Sequence, residues 1–153
     1  MKTPWSCLAE SAAMALEMEY DDLIAELGHD GSAIVFPDLP EPGRRQAFHA
    51  QEIIDIALRR GIAVTAIEAL PCSTPDGLKV YGVHFKVKRF ENHLRNGRGI
   101  VTGMKRKWRH AVFWDRGIYY DPATCLFSDS KINMDIDCFY RFDEIKSSKE
   151  PSL

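Results

Sequence analysis

Cysteine is scarce: four in 153 residues, Cys7, Cys72, Cys125 and Cys138, far apart and with no Cys-x-x-Cys pair. That spacing excludes a disulfide-dense scaffold and a structural zinc site of paired thiolates, and it makes reduced thiols the expectation. No two of the five histidines share a helical turn, so neither a metal nor a cofactor is expected. Long hydrophobic runs are missing too. No apolar stretch approaches the ~20 residues a membrane-spanning helix needs. The opening Met-Lys-Thr-Pro-Trp-Ser-Cys has no apolar leader core, which predicts a cytoplasmic protein without membrane association. Charge is nearly balanced, 20 Lys and Arg against 22 Asp and Glu for a net −2, which excludes a polyanion-binding surface over the whole molecule. The one basic run, Lys105-Arg106-Lys107-Trp108-Arg109, is expected to be a solvated loop lining a cleft for an acidic peptide, rather than a nucleic-acid contact. There is no internal repeat and no low-complexity segment. With 45% hydrophobic residues, the chain is long enough for one domain with a real core, over 1–146, followed by a frayed tail at 147–153. Its oligomeric state leaves no mark on the sequence.

What is present divides into a helical first half and a strand-rich second half. Apolar side chains at Leu8, Ala12 and Leu16, with Ala9 and Ala13, predict a helix over 6–18. Ser6 is its expected N-cap, Thr3-Pro4 an alternative start, and Cys7 falls in the first turn. Asp21 to Leu27 is a short helix that Gly28 can end. The Gly and Pro content from His29 to Gly43 predicts a long loop, a place where substrate clefts are often shaped. Phe48 to Arg60 is the clearest helix, with Gly61 beyond its end. Ile62 to Ala69 is expected to be a strand, then a turn-rich connection runs through Pro71, Pro75 and Gly77. Lys79 to Lys88 alternates as a strand would, Phe90 to Leu94 suggests one helical turn closed by Asn96-Gly97, and Gly99 to Met104 is a short apolar strand. Leu126 to Asp137 is expected to be irregular, and the aromatic Cys138 to Ile145 to pack back on the core. Helices first and strands second make an α+β domain.

The chemistry concentrates in His110-Ala-Val-Phe-Trp114-Asp-Arg-Gly117-Ile-Tyr-Tyr-Asp121-Pro122, a tight β-hairpin by its alternation. With a turn at Asp115-Arg116, Trp114 pairs near Gly117, Val112 faces Tyr119 and His110 faces Asp121. A carboxylate beside an imidazole fixes its tautomer and stabilises its protonated form, as a general base requires. Pro122 ends the strand behind that carboxylate. A plainer reading makes Asp121 a turn-former before proline. Asp115, the rival carboxylate, falls at the far end of the hairpin. Cys7 at a helix N-terminus is open to lowering of its pKa by the unpaired amides there and by a nearby histidinium, which gives a thiolate nucleophile. The plainer reading is a small buried hydrophobe. His29, His49, His84 and His93 form no such arrangement.

With Cys7, His110 and Asp121 in that order, the chain resembles the papain-like cysteine peptidases, and most closely their bacteriocin-processing branch, which cleaves double-glycine leaders. The likeness spans most of the domain. It runs through Cys7 to Leu16, Phe48 to Ala69, Leu94 to Gly97, Gly99 to Gly103, His110 to Trp114 and Ile118 to Pro122, and likens Phe139–Ile145 to a late helix. The resemblance implies a papain-like fold, with the nucleophile on the first of several N-terminal helices packed on a C-terminal antiparallel sheet. It also implies Cys7 as nucleophile, His110 as general base and acid, and Asp121 as the residue orienting His110. The Cys7 amide would lie at an oxyanion hole, and the reaction would be hydrolysis of a peptide or isopeptide bond in a peptide or protein substrate through a thioester. Two departures stand out. Residues 1–6 lack the family's glutamine, leaving Gln46 and Gln51 as candidates, and Leu8-Ala9 stands where the family often has Gly-Pro. The alternatives are the same triad used for deamidation or acyl transfer, and a catalytically silent domain that binds a peptide or protein.

Overall fold

The computed structural model describes residues 1–32, 34–35, 44–45, 47–69 and 83–146. Outside them lie most of the 29–43 loop, the connection through Pro71, Pro75 and Gly77, Cys72, Gln46 and the 147–153 tail.

The alanine-rich segment folds as α1, Cys7–Ala15. It stops three residues short of the expected end because Glu17 takes a left-handed φ of 55°. The Glu17 and Met18 amides then fold back onto the carbonyls of Met14 and Ala13, a Schellman closure. Ser6 occupies the N-cap position without capping by its side chain. Its hydroxyl donates instead to the Thr3 carbonyl at 2.9 Å and bonds the Glu10 carboxylate. Helix α2 is Tyr20–Leu27, ended by Gly28 at φ 76°. Inside the stretch expected to be a loop from His29 to Gly43, β1 (Ile34–Val35) forms and pairs antiparallel with β2 (Arg44–Arg45), which lies just past its end. Helix α3 is Ala50–Arg59 and leads into β3, Ile62–Glu68, as expected.

Three later expectations are corrected. Lys79–Lys88 is not a strand: α4 runs over Val83–Asn96 and absorbs the single turn expected at Phe90–Leu94, while 79–82 lie outside the described residues. Val83, Val87, Phe90 and Leu94 also recur at helical spacing, and with helix formers between them the 3.6 period wins over the period of two. Strand β4 (Arg98–Lys105) and β5 (Trp108–Asp115) follow, then β6 (Ile118–Asp121). Leu126–Ser128, expected to be irregular, is β7 and pairs with β6. The segment likened to a late helix is β8, Asp135–Glu144, whose Ile136, Phe139, Tyr140 and Phe142 suit a pleated surface better than a helix.

These strands form a six-stranded antiparallel sheet in the order β3-β8-β4-β5-β6-β7. The molecule is α+β, with four helices among the described residues. One face of the sheet buries Ile100, Ala111, Phe113 and Phe142 against α1, α2 and α3, through Ala9, Ala12, Leu23, Ile53 and Ile56. The other face buries Ile67, Val101, Val112 and Phe139 against Phe90 of α4 and Ile132 of the β7–β8 connection. Each fully buried Leu, Ile or Phe contributes about 1.5–3 kcal/mol relative to exposure. Strands β4 and β8 slip register between Thr102 and Gly103. A Cβ on Gly103 would stand 2.3 Å from the Asp135 carbonyl oxygen, so this crossing requires glycine for close approach. Among the described residues, no helix is long and apolar enough to cross a membrane.

Candidate active site

Strand β5 carries His110 directly opposite Gly103 of β4 and meets β6 through Phe113–Tyr120, Trp114–Tyr119 and Asp115–Ile118. The turn is therefore Arg116-Gly117, with φ of 46° and 109°, a two-residue turn of the primed kind that suits strand twist. This corrects the expected Asp115-Arg116 turn and moves the register by two residues. Tyr119 faces Trp114, not Val112, and continuing the ladder brings Val112, not His110, opposite Asp121. A slip of one would have sent Asp121 to the other face, whereas a slip of two keeps it on the face of His110, diagonally placed. The long reach of the two side chains closes the diagonal: His110 Nε2 and Asp121 Oδ1 are 2.6 Å apart. Both residues are buried, at 9% and 6% exposure.

Asp121 is held from several sides. Oδ1 also accepts the Ala123 amide at 2.8 Å, and Oδ2 accepts Lys105 Nζ at 2.7 Å. Burial pushes the carboxyl up, but Lys105, the Ala123 amide and His110 together outweigh it and hold it below the usual carboxylate range. The turn after Pro122 folds tightly, with the Thr124 and Cys125 amides donating to the Asp121 carbonyl. Lys105 belongs to the basic run but not to a loop. It ends β4 opposite Trp108, Arg106-Lys107 forms the turn, and Trp108 is 78% exposed. Sequence reasoning missed Lys105 as a site residue. Two residues from Gly103, it shares the face of His110, a relation visible only once β4 and β5 are paired as a hairpin.

Cys7 is the first residue of α1. Burial pushes its thiol up, hydrogen bonds from the Ala111 and Leu8 backbone pull it down, and the Glu10 and Asp121 charges raise it further; the net shift is upward. The expected lowering at a helix N-terminus is thus reversed, because desolvation exceeds what the two backbone bonds return. No hydrogen bond joins Cys7 to His110 among the described residues. The reason lies in the pleat. Cys7 packs with the cluster of Ala111 and Phe113, while His110, two residues from Val112, belongs to the opposite face. At the edge of β5 beyond its pairs with β6, the Ala111 backbone meets the Cys7 sulfur.

On the His110 face a groove of about 350 Å³ is lined by Lys105, His110, Asp121, Tyr119, Ile132 and Met134, among others. The remaining candidates lie elsewhere. Asp115 sits at the hairpin turn, hydrogen-bonded by Arg116, and is held low by that bond. Gln51 is exposed on α3 and donates to Asp55 at 2.9 Å; Gln46 is outside the described residues. His29 bonds Glu52 at 2.7 Å and stacks on Phe48, His49 caps α3, and His93 lies near Arg141. The side chain of His84 is outside the described residues. Among the described residues, no cluster of three His, Cys, Asp or Glu could hold a metal ion.

No family model matches the chain, and neither a curated protein nor a solved structure matches it.

Proposed function

We propose that this chain is a papain-like cysteine hydrolase that cleaves a peptide or isopeptide bond with Cys7 as nucleophile, His110 as general base and acid, and Asp121 as its orienting residue. The observation that carries this reading is the buried 2.6 Å contact between His110 Nε2 and Asp121 Oδ1. It fixes the ring and leaves Nδ1 as the nitrogen that exchanges a proton. The Cys7 thiol, pushed up by burial, enters the reaction protonated. On approach of the substrate its proton passes to His110 Nδ1 as sulfur attacks the carbonyl carbon. The resulting oxyanion is stabilised by amides at the start of α1. His110 then returns the proton to the leaving amine, and water, deprotonated by His110, hydrolyses the thioester. Hydrogen bonds of this kind commonly tighten only when substrate is bound.

A second reading, a silent domain of the same fold that binds a peptide, is favoured by the absence of a Cys7–His110 hydrogen bond and by the raised thiol. Peptidyl acyloxymethyl ketones, which alkylate a base-assisted thiol, separate the two. The expected result is a mass-spectrometric adduct at Cys7 that forms about 10²-fold or more slowly in His110→Ala. No adduct, or equal rates in both proteins, would overturn the hydrolase in favour of the binding domain.

A further inference from the structure

The Asp121 carboxylate is shared. Three donors fix it: His110 and the Ala123 amide on Oδ1, and Lys105 Nζ on Oδ2 at 2.7 Å. Three bonds on two oxygens leave the carboxylate plane no freedom to turn, so Lys105 helps decide that Oδ1 faces the ring. Lys105 comes from β4 and reaches across the start of β5 to a residue of β6, so it ties together the strands that flank the histidine. Its side chain is 34% exposed and lines the same groove as His110.

The charges around His110 have definite sources. Strand β4 supplies Lys105 and β6 supplies Asp121. Tyr119 of β6 lines the groove, and the β7–β8 connection contributes the apolar or uncharged Ile132, Asn133 and Met134. From α1, Cys7 meets the Ala111 backbone of β5, and Glu10 bonds Ser6 and pairs with the Met1 ammonium. Arg109, the neighbour of His110, points to the other face and pairs with Asp137 at 2.6 Å. Among the described residues, Lys105 is the lysine that bonds Asp121 directly and so competes with a protonated His110 for it; the Met1 ammonium nearby bonds the Pro122 carbonyl instead.

We propose that Lys105 is a positioning residue for the His110–Asp121 pair, which orients the carboxylate and draws off part of its charge. A buried carboxylate shared with a lysine holds a neighbouring imidazolium less tightly than an unshared one. The catalytic consequence rests on the hydrolase reading; the effect on His110 does not.

The test is an NMR titration of the His110 ring protons in the full chain, in the parent and in Lys105→Met and Lys105→Arg. Lys105→Met is expected to raise the His110 midpoint by about one pH unit, while Lys105→Arg leaves it near the parent value. In the peptidyl-ketone assay the rising limb of the pH profile at Cys7 moves up by the same amount. An unchanged His110 midpoint in a folded Lys105→Met protein overturns the proposal, because a residue that merely fills space would not move it. Should that variant not fold, ¹⁵N-lysine labelling of the parent answers instead. The Lys105 ammonium resonance is expected to step at the His110 midpoint, and its failure to do so overturns the proposal. A shifted His110 midpoint in protein whose Cys7 never labels keeps the role of Lys105 and removes the hydrolase.

Discussion

On one face of the six-stranded sheet, three helices bury a continuous apolar layer of Ala, Leu, Ile and Phe. On the other, a smaller cluster under α4 and Ile132 gives way at one end to His110, Asp121 and Lys105 around a groove. The first face is built for packing, and the second divides its area between packing and polar chemistry. Strand β5 serves both because its side chains alternate: Ala111 and Phe113 lie under α1, while His110 and Val112 look the other way. The consequence is specific. The helix that carries Cys7 and the histidine proposed to activate it belong to opposite faces of one strand.

The largest effect tests whether the polar end of the second face performs chemistry. Asp121→Asn keeps the shape but removes the charge that stabilises the imidazolium, and is expected to lower kcat/KM by about 10²–10⁴-fold on any peptide the parent cleaves. Next comes the division of packing between the faces. Phe139→Ala on the second face is expected to cost about 3–5 kcal/mol, and Ile53→Ala on the first about 2–5 kcal/mol, in urea denaturation. A cost below about 1 kcal/mol for Phe139→Ala would break the view that the second face is a core at all. Gly103→Ala, directly opposite His110, forces a methyl toward the Asp135 carbonyl. It is expected to cost about 1–3 kcal/mol and to perturb the β4–β8 slip in amide spectra.

Acid sharpens the same comparison. The Asp121 carboxyl is lowered in the folded chain, so the stability it contributes is complete above the unfolded carboxylate value, about pH 4, and is lost as pH falls through its lower folded value. Thermal unfolding midpoints are expected to fall less steeply in that acid window for Asp121→Asn than for the parent. The smallest effect is at Trp108, 78% exposed at the start of β5. Trp108→Ser is expected to change stability by less than about 0.5 kcal/mol, and a larger loss in urea denaturation would show that the basic turn is packed rather than solvated.

Much of the frame was legible because its signals are local. The alanine-rich α1, the Gly28 and Gly61 stops, α3 and β3 rest on short-range periodicity and caps, which act within a few residues. The face shared by His110 and Asp121 was also legible, since an error of two in the turn leaves the pleat parity unchanged. Strand β8 was harder to foresee: a ten-residue strand inserted between β3 and β4 owes its conformation to two neighbours distant in sequence. Helix α4 was ambiguous because the same apolar residues fit both periods. The shift of the Cys7 thiol followed burial under α1's contacts with β5, which position in a helix does not reveal.

By itself the sequence determined the α+β class, the first three helices, the hairpin and the shared face of His110 and Asp121, because propensity, turn chemistry and alternation operate between near neighbours. Only the tertiary structure decided the strand order, the sharing of the Asp121 carboxylate with Lys105, the upward shift of the Cys7 thiol and the packing of α1 on the face opposite His110. These depend on which surfaces exclude water from one another, and that is settled by contacts far apart in the chain.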